Sequence, residues 1–187
     1  METITYEQAI IAAKHAAEHN QDCLLLAVAQ GPGYAIGRQS GTFNREAIDT
    51  ARPIYQGKWN GGTIVIAQGD ICLCALSKTN RDLGQQIIQR CLEHLQAKGL
   101  DAYQDGNDLM LRDGSQTMKV GSYAYTQHPG QLVETVVHIS IGMDKEHVDA
   151  VCAKHGKPVL YGLEHYGVTT QEMSDYIIEL SLKGKQS

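Results

Sequence analysis

The stretch "GNDLMLRDGSQTMKVGSYAY", residues 106–125, contains one lysine in a run of turn formers and small or β-prone residues. Its composition predicts two strands, at about 107–112 and 116–125, which are joined by a turn at "RDGS". Lys119 lies on the second strand, three residues before Ser122. A solvent-exposed strand lysine is the ordinary interpretation, and a lysine that holds an anion is the alternative.

Strands are also predicted on both sides of this stretch, where β-prone residues lie between turn signals. The additional strands are expected at 23–30, about 101–104 and 132–142. The segment "TIVIAQGDICLCAL", residues 63–76, predicts a β-hairpin that turns at Gln68, Gly69 and Asp70.

Helices are predicted from capping patterns and apolar stripes. They are expected at residues 6–19, 82–98, 144–154 and 169–183. Antiparallel hairpins with helices between and after them predict an α+β fold, in which helices pack on one face of a mainly antiparallel sheet. The length of 187 residues is typical of one domain, so residues 1–187 are expected to form a single domain.

Composition narrows the classes of function. The formal net charge of −5 gives no basis for binding nucleic acid or an anionic membrane. The chain has no apolar run of the ~20 residues that cross a bilayer. Five cysteines in an acidic chain fit a reducing compartment, so a cytoplasmic location is expected. Cys72 and Cys74 alternate with apolar residues and are interpreted as strand residues rather than metal ligands. The eight histidines suggest no catalytic or metal-binding constellation.

Five segments resemble, in order, motifs of the lipoate–protein ligase A family. They are "LLLAVAQGPGYAIGRQSGTFNRE" (24–46), "PIYQGKWNGGTIV" (53–65), the 106–125 stretch, "VVHISIGMD" (136–144) and "GKPVLYGLE" (156–164). The resemblance runs from about residue 20 to the end of the sequence. It implies the catalytic-domain fold of biotin and lipoate ligases.

The resemblance also implies an activity. Such an enzyme joins a medium-chain carboxylic acid to ATP as an acyl-adenylate, and then passes the acyl group to a lysine of a carrier protein. ATP, Mg²⁺ and lipoate or octanoate would then be bound, and a lipoyl carrier domain would be the acceptor. Nucleic acid and membranes are not expected as partners.

Lys119 matches the family's invariant lysine, which would act as a fixed cation between the carboxylate and the α-phosphate. Gly61 and Gly62 would let the backbone approach the acyl-phosphate closely. Asn107 matches an asparagine on the nucleotide side, and Arg38 in "IGRQ" would close one rim of the pocket. The full set of candidate binding residues is Arg38, Lys58, Asn60, Gly61, Gly62, Asn107, Gly121 and Ser122.

Several positions depart from the family pattern. Gln56 and Gly57 stand where the family has two arginines, and Lys58 could replace their charge but not their planar, bidentate geometry. Asn60 replaces the first glycine of a triple glycine, and residues 66–67 are Ile-Ala in place of His-Asp. The accessory C-terminal domain of many members is not expected.

Two alternatives remain open. The domain could bind an acyl compound or a protein partner without turnover. It could also be a cysteine-dependent octanoyl- or lipoyl-transferase that uses Cys152, although the helical spacing of Cys152 with Val148 and Val151 also fits a buried helix residue. The biotin-ligase branch is less favoured, because its Gly-Arg-Gly-Arg-x-Gly loop does not occur in the sequence.

Overall fold

Two sheets form the centre of the computed structural model, which describes residues 5–37, 45–56, 63–142, 148, 151 and 162–183. Neighbouring strands of the six-stranded sheet are all antiparallel. In spatial order they are β1 (Cys23–Val28), β5 (Ile71–Ser77), β9 (Val133–Ile139), β8 (Gln116–Gln127), β7 (Asp108–Asp113) and β6 (Asp101–Asp105). The second sheet consists of β3 (Ile54–Gln56), β2 (Gly33–Ile36) and β4 (Thr63–Ile66), with β2 parallel to β3 and antiparallel to β4.

The three described helices begin within one residue of where the sequence predicts. They are α1 (Tyr6–Glu18), α2 (Leu83–Ala97) and α3 (Thr170–Lys183), and 3₁₀ turns cover Arg45–Ala47, Pro129–Gln131 and Leu163–Tyr166. At the start of α1 the Thr5 hydroxyl accepts the Gln8 N–H at 3.2 Å, and the Gln8 side chain accepts the Thr5 N–H at 2.8 Å. The predicted helix at 144–154 lies outside the described residues, apart from Val148 and Val151. None of the helices described is long and apolar enough to span a bilayer.

Each face of the six-stranded sheet is covered. Helices α2 and α3 pack on one face, which we call the α2 face, through residues such as Ile88, Leu95 and Met173. Helix α1 and the small sheet pack on the other, the α1 face, where Ala9 and Ile66 belong to the same core cluster as Cys72 and Cys74 of β5. The α+β fold class with mainly antiparallel sheets is confirmed. The expectation of helices on one face holds for α2 and α3, whereas the apolar side of α1 covers the opposite face.

The predicted hairpin at residues 63–76 is wrong in its pairing. Both strands form, but β4 pairs with β2 in the small sheet, and β5 lies between β1 and β9 in the large one. The buried Asp70 side chain stabilises this arrangement, because it accepts the Ala67 N–H at 3.0 Å and the Ile141 N–H at 2.8 Å. The turn is thus tied to the end of β9 rather than closed into a hairpin.

A β-bulge interrupts the pairing of β7 with β8. Leu109 pairs with Gly121 while Met110 pairs with Lys119, so Val120 is an extra residue on β8. Met118 and Val120 both belong to the core on the α2 face. Side chains alternate along a strand, so Lys119 between them lies on the α1 face.

Candidate functional site

Lys119 forms an ion pair on the α1 face of the large sheet. Its Nζ lies 2.8 Å from Oδ1 of Asp108, and the two side chains are 25% and 28% exposed. Asp108 precedes Leu109 on β7, and because Leu109 packs in the core of the α2 face, alternation places Asp108 on the face that carries Lys119. The lysine is therefore neither a fully solvated strand residue nor an unpaired cation. An anion that binds its ammonium has to compete with the carboxylate of Asp108.

A row of polar side chains continues from this ion pair across the sheet. Asp108 pairs with Ser122 on β8, Ser122 with His138 on β9, and His138 with Cys72 on β5. Residues in direct register share one face, so all four lie on the α1 face. Ser122, His138 and Cys72 are buried. The row leads from the partly exposed ion pair of Lys119 and Asp108 to Cys72 in the interior of the protein.

The buried end of the row contains a histidine–carboxylate pair. Nε2 of His138 lies 3.0 Å from Oδ2 of Asp70, and both side chains are fully buried. Nδ1 of His138 and Oγ of Ser140 are also buried, and neither has a hydrogen-bond partner in the part of the chain that is described. The prediction that the histidines form no constellation missed this pair. A histidine inside the apolar run "VVHIS" was the signal that could have indicated it.

The residues that were predicted to lie near Lys119 do not all share its face of the large sheet. Ser122 lies on the Lys119 face, but Gly121 faces the α2 side, where a Cβ at this position would come within 2.8 Å of Ile139 Cδ1. Asn107 is exposed in the turn between β6 and β7, and its carbonyl accepts the Tyr123 N–H at 3.0 Å. Of these residues, only Ser122 is held in the buried row.

The rest of the candidate set lies outside the described residues. This holds for Arg38, Lys58, Asn60, Gly61, Gly62 and the alternative nucleophile Cys152. Three of the positions that depart from the family pattern are described, and one of them, Ala67, is buried. Gln56 is exposed at the end of β3, and Ile66 is buried in the core on the α1 face, where an apolar side chain can pack.

The cysteines of β5 contribute packing rather than a reactive thiolate. Burial raises the pKa of the Cys72 thiol to about 12 and that of Cys74 well above its ordinary value. Both side chains pack in the core on the α1 face, as their alternation with apolar residues predicts. The thiol form of Cys72 is therefore dominant at neutral pH, and the residue is a poor nucleophile.

Comparison with known proteins identifies the fold. No protein-family model matches the chain, and no curated protein sequence matches it significantly. Solved structures do match: a bipartite lipoate–protein ligase of Thermoplasma acidophilum superposes with a TM-score of 0.70 at 14% identity, covering 96% of this chain and 79% of that one. A lipoate–protein ligase A bound with ATP gives a TM-score of 0.68 at 14% identity, with coverages of 96% and 81%. This chain has the fold of lipoate–protein ligases.

The ligase fold was the expectation drawn from the five sequence motifs, and it is confirmed as a fold. P. falciparum LipL1, solved in complex with lipoate, matches all of this chain with a TM-score of 0.69 at 14% identity. This chain covers 58% of the length of that protein. At such identities the likeness establishes the architecture, while activity and ligands have to be argued from the residues of the site.

Proposed function

We propose that this protein is a lipoate– or octanoate–protein ligase-like enzyme, which activates a medium-chain carboxylic acid with ATP and transfers the acyl group to a lysine of a lipoyl carrier domain. The proposal is supported chiefly by Lys119, a half-buried ammonium on a central strand of a ligase fold. Its partner Asp108 holds the ammonium at a defined place without enclosing it. Adenylation brings together a carboxylate and an α-phosphate, and a cation fixed between two anionic groups lowers the energy of their approach.

In the first step, a carboxylate oxygen of the acid attacks the α-phosphorus, and the bond from that phosphorus to the bridging oxygen breaks as pyrophosphate leaves. In the second step, the amine of the carrier lysine attacks the acyl carbonyl, and AMP leaves as an amide bond forms and the amine loses a proton. Lys119 would stabilise the negative charge on the carboxylate and the phosphate oxygens in both steps. A lysine suits this role as a compact charge with three donors on a strand of the central sheet.

The residues beside Lys119 also suit a magnesium ion. Mg²⁺ prefers oxygen ligands and is usually held by one or two carboxylates together with substrate phosphates. Asp108 is the carboxylate that would hold it, with the exposed amide of Asn107 next to it on the chain. Bound there, the ion would supply charge neutralisation at the phosphate oxygens. Asp108 would thus hold the ion, and Lys119 would act toward the carboxylate of the acid.

One experiment tests the proposed activity directly. The protein is incubated with ATP, Mg²⁺ and either lipoate or octanoate, with and without a lipoyl carrier domain, and the products are identified by intact mass. The expected result is an acylated carrier only when ATP, acid and protein are all present, and none with the Lys119→Ala variant. A carrier variant whose acceptor lysine is replaced by arginine serves as the control. Acylation by Lys119→Ala at the wild-type rate would contradict the proposal.

A second candidate is a binding domain of the same fold that no longer adenylates. It is favoured by Ile66 and Gln56, because an apolar core residue and an exposed amide occupy positions where the family carries polar catalytic groups and arginine. In the same experiment this domain would bind the acid in calorimetry but leave the carrier unmodified. A transferase that depends on Cys152 would instead acylate the carrier from an acyl-carrier thioester without ATP, and Cys152→Ala would abolish that transfer.

A further inference from the structure

His138 has hydrogen-bonding capacity that the described residues do not use. Asp70 accepts two backbone N–H groups as well as the imidazole, so its oxygens act as acceptors and the shared proton belongs to Nε2 of His138. Asp70 thereby fixes both the orientation and the tautomer of the ring. In its neutral form the histidine presents Nδ1 as a lone-pair acceptor, and Nδ1 has no partner among the described residues.

A second buried polar atom belongs to Ser140, one residue past the end of β9. Its neighbours Ile139 and Ile141 both pack in the core on the α2 face, so the Ser140 side chain lies on the α1 face with His138. Its Oγ is buried and lacks a partner within the described part of the chain. Native proteins leave few buried polar groups unpaired, because each has lost its water without replacement. Two such groups on the α1 face indicate that something polar binds there.

The register places these groups relative to Lys119. The ammonium lies at Asp108, whose cross-strand neighbour is Ser122, and Ser122 in turn neighbours His138. Adjacent strands are about 4.8 Å apart, so the ammonium and the imidazole are separated by two strand spacings, or about 10 Å. A medium-chain carboxylic acid has a comparable extended length. If its carboxylate binds at Lys119 and its chain follows the row, its far end reaches His138.

We propose that His138 is a specificity residue of this site, and that it accepts a hydrogen bond from an O–H or N–H group at the far end of the acid. The inference rests on the proposed function and adds the substrate class. The preferred ligand is a medium-chain carboxylic acid with a terminal hydrogen-bond donor, such as an ω-hydroxy acid. A plain hydrocarbon tail would bury Nδ1 without offering it a hydrogen bond. Because a buried polar group that is left unpaired costs binding energy, the site should discriminate against such an acid.

The test compares the binding of octanoate and 8-hydroxyoctanoate by calorimetry. Wild-type protein should bind the hydroxy acid more tightly by about fivefold or more, the effect of one added neutral hydrogen bond. His138→Gln retains an amide N–H near the position of Nε2 for Asp70 but has no group equivalent to Nδ1, so the preference should disappear. Ser174→Ala is the matched control, because the Ser174 hydroxyl is also buried and has no partner among the described residues, but lies on α3, on the opposite side of the sheet. It should leave the preference unchanged.

A measurement on the wild-type protein covers the case in which His138→Gln fails to fold. The ¹⁵N chemical shift of His138 Nδ1 should change on addition of 8-hydroxyoctanoate and not on addition of octanoate. Equal affinity for the two acids, with binding still lost in Lys119→Ala, would overturn this inference and leave the proposed function standing. If neither acid binds to the wild-type protein, the proposed function fails together with it.

Discussion

Asp108→Asn separates the two roles that the ion pair with Lys119 can have. The carboxylate of Asp108 neutralises the ammonium and repels the carboxylate of an acid that binds there. A unit charge about 5 Å away contributes roughly 0.8 kcal/mol at the dielectric constant of water and roughly 3 kcal/mol at an effective value of 20. Because both side chains are about a quarter exposed, we take about 1 kcal/mol, near the lower end. Removing that charge should tighten octanoate binding, measured without nucleotide, by about fivefold.

Adenylation should respond in the opposite direction. If Asp108 also holds Mg²⁺, its replacement by asparagine removes an anionic ligand, and the rate of acyl-adenylate formation should fall by about tenfold or more. The affinity for octanoate is measured by titration calorimetry, and the rate of acyl-adenylate formation is measured by pyrophosphate exchange. The gain in octanoate affinity should shrink in 1 M salt, where charges are screened within about 3 Å.

Stability provides the control. A partly exposed pair of this kind contributes at most about 1 kcal/mol, which corresponds to a melting-temperature change of about 2–4 °C in a protein of this size. Lys119→Ala and Lys119→Arg should stay within that range while both lose acyl transfer, because a planar guanidinium cannot occupy the same point as an ammonium. If folded Asp108→Asn binds octanoate no more tightly than the wild type, the pair does not face the carboxylate and the site is misplaced.

Three further predictions concern the scaffold. Gly84→Ala should lower the free energy of unfolding by about 1–3 kcal/mol, because the added Cβ would lie 2.6 Å from the Tyr123 ring. Chemical denaturation measures this change, and unchanged stability would mean that the ring can shift. Cys72, with its pKa raised to about 12, should resist alkylation at pH 8 in native protein and react only after unfolding, as peptide mass mapping can show. The Glu172 carboxylate accepts a hydrogen bond from Lys98, and this bond lowers the pKa of Glu172. The ionised carboxylate therefore stabilises the fold at pH values above the ordinary glutamate pKa, and this stabilisation is lost as the pH falls through the lowered pKa. Glu172→Gln should therefore lower the melting temperature at pH 7 but not at pH 3, and equal effects at both would exclude the ion pair as the cause.

Elements whose signals are local could be predicted from the sequence. The capping box at Thr5, the apolar stripe of α2 and the turn between β7 and β8 each involve residues within a few positions of one another, and each forms as expected. Gly99, just past the end of α2, adopts φ +82°, a conformation that glycine enters without strain.

Partners that are distant in the chain could not be predicted. Residues 63–76 have the composition of a hairpin, and nothing local distinguishes a hairpin from two strands in different sheets. The outcome depends on Asp70, whose carboxylate is bound to His138 and to the backbone of Ile141, about 70 positions away. The sequence therefore indicated that both strands exist, but it did not indicate that the chain crosses between sheets.

The bulge on β8 explains why the predicted site was correct only in part around Lys119. In a regular strand Gly121, two residues after Lys119, would share its face, and Ser122, three residues after it, would lie on the other. The extra residue Val120 reverses both assignments. Gly121 therefore packs toward Ile139, and Ser122 lies on the same face of the sheet as Lys119, Asp108 and His138. The bulge therefore keeps Ser122 on the Lys119 face although Ser122 is the third residue after Lys119. Deleting Val120 would make Ser122 the second residue after Lys119, so regular alternation would keep both side chains on the α1 face and preserve the row that connects Lys119 with His138.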